Sequence, residues 1–150
     1  MLTQELSEQI VQGLVSLKKE ISLYTNESIL WMTDKKINNS AGNLVLHICG
    51  NLNHYIGAQL GNTGYIRHRD LEFSDKNVSR QDLIKNIDHT IVMIEECFPL
   101  ITIDTLKKLY PIKVFENDMT VRAMLISIYG HLNYHLGQVN YHRRILDNNE

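Results

Sequence analysis

The sequence predicts an all-α fold, a four-helix bundle, from three observations. Apolar residues recur at spacings of three and four over four separate stretches. Ser40, Ser79 and Thr120 stand where they can cap three of those stretches. Strand signal is scarce between them. The chain has 150 residues, the usual size of one domain, and residues 1–150 read as a single unit. That length can bury a core without disulfides.

The first helix is expected over Leu2 to Tyr24, with Leu6, Ile10, Leu14, Leu17, Ile21 and Tyr24 along one face. A polar connector follows from Thr25 to Ser40. It carries the apolar knot Ile29-Leu30-Trp31-Met32 and the single tryptophan, which suits either the end of a core or the mouth of a pocket. The second helix should start after Ser40 and run to about Leu60, with Leu44, Ile48, Leu52 and Tyr55 inward. Gly61 to Val78 reads as a long loop, punctuated by Gly61 and Gly64 and crowded with Arg67, His68, Arg69, Asp70 and Glu72. Loops of that length are often functional, although a solvated, salt-bridged connector has the same composition.

Ser79-Arg80-Gln81-Asp82 has the form of a capping box. The third long helix follows it along Leu83, Ile87, Ile91, Ile94 and Phe98, until Pro99 stops it. Between Leu100 and Met119 a short helix is expected near Asp104 to Leu109, then an extended piece over Ile112 to Phe115. Thr120 opens the last helix, which should reach Leu146 along Val121, Met124, Leu125, Ile128, Leu132 and Val139.

Composition closes off several functions. Net charge is −2, so no global basic field exists for nucleic acid, and basic residues gather on no single helix face. No apolar run approaches the ~20 residues of a membrane span. The N-terminus lacks the apolar core of a signal peptide. Cys49 and Cys97 fall inside apolar patterns with no CxxC spacing, which suits buried free thiols in a reducing compartment. The expectation is a cytoplasmic protein acting on a small molecule.

Chemistry gathers in GHLNYHLGQVNYHRR, Gly130 to Arg144. His131 and His135 are four residues apart, which on a helix stacks two imidazoles on one face about 6 Å apart in rise. Two imidazoles so placed can share one metal ion. His142 falls on the same flank but about 10 Å beyond His135, too far to share that ion. On the second helix His47 flanks the apolar stripe, where a lone histidine is more often a hydrogen-bonded core residue than a ligand. His54 has a similar angle but lies about 10 Å further along the axis. Gln138 could hydrogen-bond a ligand from behind, and Asn51, one turn beyond His47, could donate to a substrate. Arg67 and Arg69 are candidates for holding an anionic group.

Three segments carry a family resemblance: NSAGNLVLHICGNLNHYIG, RHRDLEF and HLNYHLGQVNYHRRIL. They resemble the DinB-like, YfiT-type superfamily of metal-dependent enzymes, and more narrowly a branch of uncharacterised function. The likeness spans roughly Leu2 to Leu146. It implies a four-helix bundle, often a homodimer, with a divalent metal on three histidines, here His47, His131 and His135. It also implies a reaction class, since characterised relatives include thiol S-transferases and a maleylpyruvate isomerase.

Three neutral imidazoles leave a coordination position open, as catalytic zinc sites do. Zinc or nickel would suit them, and ligand type does not choose between these. An ion there could ionise a low-molecular-weight thiol for transfer to an electrophile. It could instead ionise water for hydrolysis. The alternative outside enzymology is a non-catalytic metal-binding protein of a stress response.

Overall fold

The computed structural model describes residues 2–147. Among these residues the secondary structure is helical, with two isolated β-bridges and no strand. The four long helices are α1 (Leu2–Leu23), α2 (Ala41–Leu52), α4 (Arg80–Cys97) and α6 (Val121–Leu146). Two short helices, α3 (Arg69–Ser74) and α5 (Ile103–Lys107), lie in the connections. None of the helices is long and apolar enough to cross a membrane.

Three of the long helices, α2, α4 and α6, begin where hydroxyl side chains satisfy free backbone N–H groups. Ser40 Oγ accepts from Asn43 N, Ser79 Oγ from Asp82 N, and Thr120 Oγ1 from Ala123 N. The Ser79 hydroxyl also donates to Asp82 Oδ2 at 2.7 Å. Their apolar stripes then meet in one core. α1 lies against α4 and α6, and α2 lies against the same two helices. Ile10, Leu14, Leu17 and Ile21 of α1 are fully buried, as are Val45 and Ile48 of α2, Leu83, Ile87 and Ile94 of α4, and Leu125 and Val139 of α6.

Three connections differ from expectation. The second helix does not run on evenly to Leu60: a π turn, Asn53–Ala58, follows α2. Such a turn inserts a residue into the helical register and re-aims the side chains beyond it. Tyr55 is thereby half-buried rather than part of the core stripe. The Gly61–Val78 loop is not all loop, because α3 forms inside it and packs on α2. The piece expected to be extended at Ile112–Phe115 has bends at Ile112 and Phe115. A single bridge between Leu109 and Thr120 closes that segment, with Tyr110 N donating to Met119 O and Val121 N to Lys108 O. The Tyr110 hydroxyl then pins the segment to the π turn by donating to Tyr55 O at 2.7 Å.

Trp31 ends a short 3₁₀ turn, Glu27–Trp31, and covers the start of α2. Its Nε1–H donates to Val78 O at 3.2 Å. The ring lies so close over Gly42 that a Cβ there would stand 2.6–2.7 Å from three ring carbons. A held indole cannot yield as a flexible chain end does. Gly42→Ala is therefore expected to destabilise the protein by about 1–3 kcal/mol. Urea denaturation followed by the fluorescence of the single tryptophan reads this, and an unchanged midpoint would show that the indole can move aside.

Candidate metal centre

α2 and α6 bring His47, His131 and His135 together. His131 Nε2 lies 3.1 Å from His47 Nε2 and 3.1 Å from His135 Nε2. The ring centroids are 4.4 to 5.0 Å apart, with the planes steeply tilted. His131 and His135 meet because one helical turn stacks them, whereas His47 arrives from a helix 84 residues earlier in the chain. His47 is buried, and the other two are half-buried.

Proton inventory decides what this contact means. His47 Nδ1 lies 2.8 Å from Glu72 Oε2. An ionised carboxylate only accepts, so Nδ1 carries the hydrogen and Nε2 presents a lone pair. His135 Nδ1 lies 2.6 Å from Gln138 Oε1, an amide oxygen, which assigns His135 in the same way. Both lone pairs point at His131 Nε2. One hydrogen on that atom could serve only one of them well. A cation serves all three. Nitrogens held 2.0–2.1 Å from one ion, at angles near those of tetrahedral or octahedral sites, lie about 2.8–3.4 Å apart. The three histidines thus fit a single metal ion, and their ligand atoms form a group able to hold one.

Electrostatics favours the neutral form of His131 and His135. Burial is the largest cause pushing the His131 imidazole down to about 4, and the neighbouring His135, His47 and Arg67 add to it. Burial and His47 also lower His135, against the opposing hydrogen bond from Gln138. Neutral imidazoles are the form a metal needs.

A cavity of about 240 Å³ opens beside His47 and His131. Its lining includes the polar or charged Asn51, Tyr55, Arg67 and Arg69 and the apolar Val114, Phe115, Met124 and Ile128. The three residues expected to face a substrate, Asn51, Arg67 and Arg69, therefore share one cavity. They differ in freedom. Arg67 directs Nε to Glu72 Oε1 at 2.6 Å and Nη2 to Glu72 Oε2 at 2.8 Å. Arg69 is exposed, lies over the Phe73 ring at 5.3 Å, and pairs with no carboxylate among the described residues.

Glu72 is the site residue that the sequence did not single out. It stood in a charge-rich loop with no apolar frame to assign its direction. In the fold it is 6% exposed while its neighbour Leu71 is 50% exposed, the reverse of their hydropathy. Burial alone would raise its carboxyl, but hydrogen bonds and charge from Arg67 and His47 hold it below the usual range. The one sequence hint is Gly50, a turn after His47. A Cβ at Gly50 would collide with the Glu72 carboxylate.

The other histidines stand apart. His142 is buried, with Nδ1 2.8 Å from the Tyr24 hydroxyl and Nε2 2.9 Å from Met32 O. Those bonds tie α6 to the first connector. His54 stacks edge-on against Tyr55. Cys49 and Cys97 are buried free thiols.

A family model described as a protein of unknown function, DUF1572, matches residues 3–150, and the chain belongs to that family. No curated protein matches it.

Burial lowers His131, His135 and His142 below an ordinary histidine. The unfolded chain therefore binds more protons than the folded one once pH falls below about 6.5. Stability of the metal-free protein is expected to be full above that pH and to decline as pH drops toward 5. Urea denaturation at several pH values measures the slope, and His131→Ala should flatten it. An equal slope in the variant would show that His131 is already protonated in the fold.

Proposed function

We propose that this protein is a metal-dependent enzyme of the DinB/YfiT-like type, in which His47, His131 and His135 hold one divalent ion. The observation that carries the reading is the convergence of three Nε2 atoms for which the protein has too few protons. The ring of contacts among α1, α4, α2 and α6 is read as the four-helix bundle of that superfamily, with the metal built from facing helices.

A bound zinc or nickel would lower the pKa of a thiol or of water at its open position. With three neutral ligands the ion keeps its full positive charge, which favours an anionic fourth ligand. A low-molecular-weight thiol meets that demand as a thiolate. The exposed guanidinium of Arg69 would hold a carboxylate of such a molecule, and Asn51 would donate a hydrogen bond. The wall of Val114, Phe115 and Ile128 would receive an apolar electrophile. The reaction class is then thiol S-transfer, with hydrolysis as the alternative use of the same position. A homodimer belongs to this reading too, supported by Ile126, Tyr134, Tyr141 and Ile145, which are exposed along one face of α6.

Elemental analysis tests the metal. About one divalent ion per chain is expected in the native protein after reconstitution with zinc or nickel. His131→Ala or His135→Ala should lose it and stay helical, while His142→Ala should keep it. Retention in both of the first two variants would remove the triad. A thiol added to the nickel-loaded protein should produce a thiolate charge-transfer band. Metal uptake without that band, and without turnover of thiol plus electrophile, would favour a non-catalytic metal-binding protein.

A further inference from the structure

We propose that Glu72 and Arg67 form a charge-balanced brace that fixes the tautomer and the donor strength of His47, which makes the Arg67–Phe73 segment part of the metal centre. The inference rests on the three-histidine reading above and gives that segment its role.

The geometry is that of a built device. Glu72 Oε2 accepts from both His47 Nδ1 and Arg67 Nη2, each at 2.8 Å, and Oε1 accepts from Arg67 Nε at 2.6 Å. The side chains of His47, Arg67 and Glu72 are 8%, 9% and 7% exposed, so little water competes. A buried carboxylate is costly unless paired and hydrogen-bonded, and here both oxygens are occupied. The backbone under Glu72 is also held: Asn43 Nδ2 donates to Glu72 O at 3.0 Å and to Asp75 O at 2.8 Å. Gly50 supplies the space on α2 that the carboxylate fills.

The three imidazoles are consequently unequal. His47 is backed by a charged group and His135 by a neutral amide. A carboxylate behind a ligating imidazole orients the ring and raises its basicity. Arg67 moderates that effect by sharing the charge, so Glu72 accepts a hydrogen bond without stripping the proton. The Arg67 guanidinium lies 5.6 Å from the Tyr55 ring centroid and lines the cavity, so it faces the substrate side while holding Glu72. Glu72 is thus a positioning residue, acting through His47.

The test is a double-mutant cycle on zinc affinity, with two spectroscopic readouts. In the metal-free native protein, ¹⁵N NMR of the ring nitrogens should show His47 protonated at Nδ1; protonation at Nε2 overturns the brace. Glu72→Gln should weaken zinc binding roughly 10–100-fold in competition titration. In a His47→Ala background the same change should have no further effect on whatever affinity remains, because the brace acts only through that ring. An equal loss in both backgrounds would make Glu72 merely structural. Should Glu72→Gln fail to fold, Arg67→Lys keeps the charge and removes the fork; it should weaken zinc binding and shift the visible bands of the cobalt-loaded protein. Unchanged affinity and bands in that variant overturn the brace. Native protein that takes up metal while Glu72→Gln matches it refutes the brace alone. Native protein that takes up no zinc or cobalt refutes the three-histidine reading, and the brace with it.

Discussion

The His131 imidazole nitrogen in contact with those of both His47 and His135, whose outer nitrogens already donate to oxygen acceptors, is the constraint on which the site depends. Lone pairs repel unless a proton or a cation stands between them. Burial of His131 argues against an extra proton on it, since charge is poorly solvated there and the neighbouring guanidinium opposes it. A cation is a partner that the cluster could hold, and imidazole nitrogen is a good donor to the later divalent metals.

Much of the surrounding architecture maintains that arrangement. α6 supplies two rings and the Gln138 acceptor from a single helical segment, so their relation is local and rigid. α2 supplies the third ring, and its direction is secured from outside the helix by α3. That short helix is anchored by Asn43 and admitted by Gly50. The π turn after α2 carries Tyr55 into the cavity lining, and the Tyr110 hydroxyl donates to the Tyr55 carbonyl. Rigid elements thus carry the three histidines, while the connecting segments form walls of the adjoining cavity.

Legibility in the sequence followed the range of the interaction. The long helices could be read because their apolar spacing and hydroxyl caps are local signals: Ser40, Ser79 and Thr120 each cap the helix expected of them. The pairing of His131 with His135 is equally local, a matter of one helical turn. The inward lean of His47 could be read only as one of two options, since its position on α2 suits a core histidine as well as a ligand. The π turn left no mark in the apolar pattern, because Tyr55 and Ile56 fit an ordinary helix too. The piece expected to be extended at Ile112–Phe115 is bent instead, inside a segment that closes through the bridge between Leu109 and Thr120.

By itself the sequence determined the helical class, the starts of the principal helices and the stacking of two histidines, all of which depend on contacts within a few residues. Only the tertiary structure decided that His47 completes the trio, that Glu72 turns inward while Leu71 turns out, and that Arg67 grips Glu72 beside the cavity. The physical reason is that a buried charge is permitted by its partners and not by its own hydropathy. Glu72 can be buried because Arg67 neutralises it, His47 donates to it and Gly50 leaves it room. His47 and Gly50 lie more than twenty residues away along the chain, beyond the reach of any periodicity.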